Sequence, residues 1–201
     1  MALQPGGHSN NPPQQQAPNV ARHTMTQPAK ISVEEFIKTN NFIEFIKDAR
    51  HFCTFMENIS TEEPDSFLSK TQTHLQTLYS GGQMLVPVDL KYDEDFDDIL
   101  TEEELQDISN NLVYILQKNR TYWVVFDPTN ENDTEPVCGD LFDDLIAVYR
   151  ELKNMLLLYD KGTPAAVEAA IWNVKFNFDI HWSNHCIDCI YALHYFIRRG
   201  M

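Results

Sequence analysis

Five stretches of this sequence repeat apolar residues three and four apart, and each is bounded by residues that start or stop a helix. Such a repeat gathers the apolar side chains of a stretch on one stripe of an α-helix, and a stripe is buried only against another element. The chain is therefore built to pack helix on helix. The first long stretch carries Phe42, Phe45, Ile46, Ala49, Phe52, Cys53 and Met56. Two capping-box spacings lie at its start, Ser32 with Glu35 and Asn41 with Glu44, which predict a short opening turn, a restart and a helix to about Ile59. A second helix follows Pro64, carries Phe67, Leu68, Thr71, Leu75 and Leu78, and stops at Gly81-Gly82. Thr101 and Glu104 open a third, with Leu105, Ile108, Leu112, Ile115 and Leu116 inward. A fourth runs from about Asp140 to Asp160 with Leu141, Leu145, Val148, Tyr149, Leu152, Met155, Leu156 and Tyr159, and ends at Gly162. The fifth has Thr163 as N-cap and Pro164 at the first helical position, where the missing N–H is no loss. It continues to about Trp182, where Ser183-Asn184 kinks or restarts it, and a last segment reaches Arg199. The expected fold class is mainly α, a bundle of five to six helices with at most one short strand or hairpin.

Two stretches break the pattern. Between Met84 and Leu100, Pro87 and a dense set of carboxylates predict an irregular surface connection. Asp93, Asp95, Asp97, Leu100 and Glu104 fall at the spacings of an EF-hand loop, but Asp98 stands where its turn needs glycine, so a solvated acidic loop is expected in place of a calcium site. Tyr122-Trp123-Val124-Val125-Phe126 reads as a short strand without an obvious partner, followed by a polar loop from Thr129 to Glu135. Its aromatics are expected in the core, in preference to an exposed docking patch. Residues 1–30, rich in Pro, Gln, Asn and Gly, read as a disordered N-terminal tail in which Met25 marks an alternative start, and residues 31–201 as a single helical domain.

Charge narrows the partners. Thirty acidic residues against fifteen basic give a net charge of −15, a field that repels phosphate backbones and anionic lipid. No apolar run approaches the roughly 20 residues of a membrane span, and no secretory leader opens the sequence. The expected partner is another protein with a basic surface, with neither nucleic acid nor membrane, and the expected location is the cytoplasm, where Cys53, Cys138, Cys186 and Cys189 stay thiols.

Residues 144–153 read Asp-Leu-Ile-Ala-Val-Tyr-Arg-Glu-Leu-Lys, and Trp172, Phe176, Phe178, His181-Trp182-Ser183-Asn184-His185 and Ala192-Leu193-His194 follow. This half resembles a bacterial family of uncharacterised proteins, the domain of unknown function five-zero-six-three, in its DLxxxYRxLK-like helix and its HWGxH-like and ALxALH-like stretches. Phe52-Cys53-Thr54-Phe55-Met56-Glu57 is similar to that family's aromatic-Cys segment. The likeness runs from about residue 42 to 199, with Ser183 where the family pattern has Gly. It implies a helical fold and brings no activity with it.

His181 and His185 are four apart and Cys189 is a further turn on, so a helix carries these three metal-ligand types on one face. If the helix is continuous, that face also holds Val167, Ile171, Val174 and Phe178, and both imidazoles project into the core as structural groups hydrogen-bonded to tyrosine, carboxylate or backbone. The candidate polar core or site is His181, His185, Asp143, Asp144, Tyr149, Arg150 and Trp182; His181, His185 and Cys189 lack a fourth ligand, so no metal and no cofactor are expected. The Cys186-x-x-Cys189 pair shares an apolar stripe with Ile190, Leu193 and Ile197 and reads as inert core thiols. Phosphate loops, GxSxG and HExxH are absent. The favoured function is a non-catalytic protein-binding or regulatory module. The alternatives are a metal-binding protein or enzyme with its site around His181 and His185, and an acidic DNA-mimic inhibitor. Histidines lining an open pocket favour the metal or enzyme reading; histidines closed in apolar packing favour the binding module.

Overall fold

The computed structural model describes residues 31–199 except 93, 95 and 98; the expectations for residues 1–30, for Met25 and for Asp93, Asp95 and Asp98 lie outside them. Each expected helix forms, and its caps show why it starts where it does. Ser32 Oγ accepts the Glu35 N–H at 3.3 Å and opens the single turn α1, Val33–Phe36. The restart is capped by Thr39, whose Oγ1 accepts the Phe42 N–H, so α2 spans Asn40–Glu57 and begins before the expected Asn41. A 3-10 turn, Ile59–Thr61, leads to α3, Pro64–Gln83. That helix runs through both glycines, and Gly82 is there for packing: a side chain on it would overlap the rings of Phe178 and Trp182. The capping box of Thr101 and Glu104 opens α4, Glu102–Leu116. Asp140 caps α5, Leu141–Asp160, and Thr163 caps α6, Pro164–Asn177. A π turn, Phe178–Trp182, joins α6 to α7, Ser183–Arg199, so the last three run on as one continuous rod.

α5 is the central element, packed against α2, α4, α6 and α7, while α3 lies along α7 and α2. The core between them holds Phe42, Phe45, Phe52, Met56, Phe67, Leu75, Leu145, Leu152, Trp182 and Leu193.

The strand finds its partner. β1, Thr121–Val125, pairs antiparallel with β2, Pro136–Asp140, in a register that sets Thr121 opposite Asp140 and Val125 opposite Pro136. Pro-Val-Cys-Gly-Asp has little β preference, which is why the sequence hides it. Alternation along β1 buries Tyr122, whereas Trp123 is 66% and Phe126 85% exposed, correcting the expectation that all three pack inward. Gly139 opposite Tyr122 leaves room for that ring to lie across β2.

The connection between α3 and α4 is less solvated than its carboxylates suggest. Leu85, Val88 and Leu100 are buried, and the backbone amides that pass over the core are taken up by side chains. Asn154 Oδ1 accepts both Ile99 and Leu100 N–H at 2.9 Å, and Glu168 Oε1, in a side chain only 2% exposed, accepts Lys91 and Tyr92 N–H at 2.5 and 2.9 Å. Glu104, the last EF-hand position, is committed to the Thr101 backbone. Among the described residues no helix is long and apolar enough to cross a membrane.

Candidate functional site

The π turn decides where the histidines go. α6 buries Ile171 and Val174 and the turn buries Phe178; an uninterrupted α-helix would continue that stripe through His181 and His185. A π turn takes one extra residue, which advances every later side chain by about 100°. Burial passes to Trp182, Cys186 and Cys189, and the histidines come out on the flank facing α5. The expectation of two core histidines is thereby corrected: the His181 side chain is 49% exposed and that of His185 28%.

Opposite them, α5 presents Asp144 and Glu151, seven residues and two turns apart on one stripe. The four side chains close into a ladder. His185 Nδ1 lies 2.7 Å from Asp144 Oδ1, His181 Nδ1 lies 3.1 Å from Glu151 Oε1, and the two Nε2 atoms face each other at 3.3 Å. Both ends are anchored: the Tyr122 hydroxyl donates to Asp144 Oδ2 at 2.5 Å, and Asn177 Nδ2 donates to Glu151 Oε2 at 2.7 Å.

The electrostatics follow from these bonds. The Asp144 carboxylate holds the His185 imidazolium together and raises its pKa against the opposing effect of burial. Burial, then the Asp144 bond, drives the Tyr122 hydroxyl far above its ordinary value, so it is a permanent donor. Burial and the nearby Asp144 charge raise the Asp188 carboxyl, one turn beyond His185. When both rings are neutral and each Nδ1 donates to its carboxylate, the facing Nε2 atoms each present a lone pair. Two lone pairs at that distance repel, so the pair calls for a positive charge: a proton on one ring or a metal ion. The rings meet at 81° with centroids 4.7 Å apart, closer than a head-on N–H···N bond permits, and so lean together over a shared volume.

The other sequence candidates lie elsewhere. Asp143 is exposed on the outer side of α5. Tyr149 donates to Glu57 Oε1 at 3.1 Å, Arg150 to Glu102 Oε1 at 3.2 Å, and the buried Trp182 donates its indole N–H to the Val174 carbonyl at 3.1 Å. Cys189 is fully buried behind the histidines, and burial holds its thiol protonated. Sequence reasoning missed Glu151, Tyr122 and Asn177. Glu151 was readable, because it repeats Asp144 after seven residues; Tyr122 depended on a hairpin that the sequence conceals.

A solved structure of a Bacteroides fragilis protein from a structural-genomics programme is similar to this chain with a TM-score of 0.69 and 24% identity, over 79% of this chain and 93% of that one. At that identity the likeness shows the helical fold. No curated protein gives a match. The family described as a domain of unknown function, DUF5063, matches residues 36–198, which is most of the chain and includes every member of the histidine–carboxylate ladder, and the chain belongs to that family.

Proposed function

We propose that this protein binds a divalent transition-metal ion between His181 and His185. One observation carries the reading: the two Nε2 atoms stand 3.3 Å apart while each Nδ1 is bonded to its own carboxylate. Two imidazole nitrogens at about 2.0–2.1 Å from a tetrahedral ion lie about 3.4 Å from each other, so the two nitrogens are spaced as an ion's ligands are, and a small turn of the rings aims both lone pairs at it. A carboxylate on the far nitrogen fixes the tautomer and makes the near nitrogen a better ligand, the usual support behind a metal-bound histidine. Imidazole donors suit zinc, copper or nickel better than calcium or magnesium. Among the described residues no group of three or more His, Cys, Asp or Glu is placed to hold a metal ion, so the two histidines would be its protein ligands, one fewer than the three of an ordinary catalytic zinc site. A cytoplasmic setting accords with the four free thiols.

The second reading, a protein-binding or regulatory module, has its own support. Trp123, Tyr191 and Tyr195 are exposed around a groove of about 520 Å³ between β1 and α7, and exposed aromatics of this kind mark docking surfaces.

Calorimetric titration with zinc, nickel and copper tests the metal reading. The expected result is one saturable site per chain, abolished in both His181→Ala and His185→Ala and kept in His194→Ala, which changes a histidine outside the ladder. Absence of saturable binding, or binding that survives both ladder variants, overturns it and leaves the docking module as the better account.

A further inference from the structure

A pocket of about 250 Å³, partly open to solvent, lies between α6 and the connection that follows α3. Ala165 and Ala169, one turn apart on α6, supply its floor and, by having almost no side chain, its room. Trp172 forms one wall, held in plane by stacking on Phe176 with centroids 4.7 Å apart and 11° between the rings. Tyr92 and Phe96 from the connection form the others. Among the described residues of the lining the charged side chains, Glu168 and Glu94, are both acidic, and none is Lys, Arg or His. Glu168 is 2% exposed and receives two backbone N–H groups on Oε1, so its position is fixed by the chain around it. A buried carboxylate beside three aromatic rings has chemistry for one kind of guest. Ring faces carry negative potential and draw in an organic cation, the carboxylate neutralises it, and the apolar walls take its methyl or methylene groups. The outer wall already behaves this way: the Lys161 ammonium lies 5.3 Å from the Phe96 ring centroid. A net charge of −15 steers cations toward the surface as a whole.

We propose that this pocket binds an alkylammonium group, from a free small amine or from a lysine side chain, methylated or not, of a partner protein. The site is separate from the histidine ladder and does not rest on the metal reading. Chemical-shift or tryptophan-fluorescence titration of the full chain with choline, with its uncharged carbon isostere dimethylbutanol, and with peptides carrying lysine or trimethyllysine tests it. The cations are expected to bind at least about tenfold more tightly than the neutral isostere, and Trp172→Ala to weaken them by about tenfold or more. Tyr92→Ala, at a position 45% exposed, is a second variant that leaves the core untouched and is expected to act in the same direction. Binding of free amines as tight as that of the peptides identifies a small-molecule site; binding of peptides alone identifies a partner's lysine. No cation binding, equal binding of dimethylbutanol, or full affinity in both variants overturns the proposal, whatever the histidine pair does with metal.

Discussion

His181 and His185 sit one position before Trp182 and Cys186 on the same rod, with the same spacing of four, and the two pairs have opposite fates. Trp182 and Cys186 are 0% exposed, whereas the His181 side chain is half exposed and that of His185 partly so, with every polar ring atom within hydrogen-bond distance of a partner. Side-chain identity explains part of the difference, since an indole stripe is cheaper to bury than an imidazole one. The π turn supplies the rest, because without its extra residue the histidines would take the places of Trp182 and Cys186, and these two would move on to the places of Ser183 and Ile187. Trp182 holds the turn in this phase by packing edge-on to Phe178 at 4.7 Å and beside Phe45, in the gap that Gly82 leaves open. A functional surface and a core face are thus set by the same local choice of helix geometry.

The comparison breaks most decisively at Trp182. We expect Trp182→Ala to cost about 3–5 kcal/mol in denaturant unfolding, through lost burial and the cavity left behind. His181→Ala, one residue away, is expected to cost under about 1 kcal/mol, because a half-exposed ring leaves partners that water can reach. Similar losses for the two variants would show that the π turn does not separate core from surface.

Tyr122→Phe comes next. The hydroxyl is the donor to Asp144 Oδ2, and the Asp144 side chain is 11% exposed, so removing the donor leaves a nearly buried carboxylate oxygen without its bond. A loss of about 1–3 kcal/mol is expected in urea unfolding. His185→Ala strips the other oxygen of the same carboxylate and is expected to cost about 1–2 kcal/mol, clearly more than His181→Ala. Equal effects for the two histidines would mean that burial of Asp144 contributes little.

The pattern of successes in reading the sequence follows the range of the interactions. Helix starts at Ser32, Thr101, Thr163 and Pro164 were legible, because a cap is a contact between residues three apart. So was the separation of core from surface along α2 to α5, where one period holds throughout. The face of His181 was not, since nothing local in Phe-Asp-Ile-His-Trp announces an extra residue in the turn; the reason is the space beside Gly82 on a different helix. Asp144 stands out in the sequence beside the histidines' helix and Glu151 does not, although the same heptad places both. Tyr122 and Glu168 act through segments without regular periodicity, and their roles emerge only when the backbone amides and carboxylates of distant segments meet.

The smallest effect sharpens the comparison from the exposed side. Arg50 on α2 meets Asp160 at the end of α5 through two hydrogen bonds of 2.9 and 2.5 Å, with side chains 45% and 49% exposed. Its exposure matches that of His181, but it lacks a buried carboxylate behind it. The Arg50 hydrogen bonds hold the Asp160 pKa below its ordinary value. A carboxylate depressed in the folded state contributes stability that is present above its unfolded pKa, near 3.9, and is lost as the pH falls through the lower folded value. Solvent screening keeps that contribution under about 1 kcal/mol even at neutral pH. Asp160→Asn is therefore expected to be slightly less stable than the unsubstituted protein at pH 7, to approach it below about pH 3, and to show a smaller gap in about 1 M salt, where the Debye length is about 3 Å. Urea unfolding of both proteins under these three conditions measures it. A gap of several kcal/mol, or one that persists in acid, would show that an exposed bidentate pair on this bundle is worth as much as the Tyr122–Asp144 contact, and exposure would no longer account for the difference between the two kinds of site.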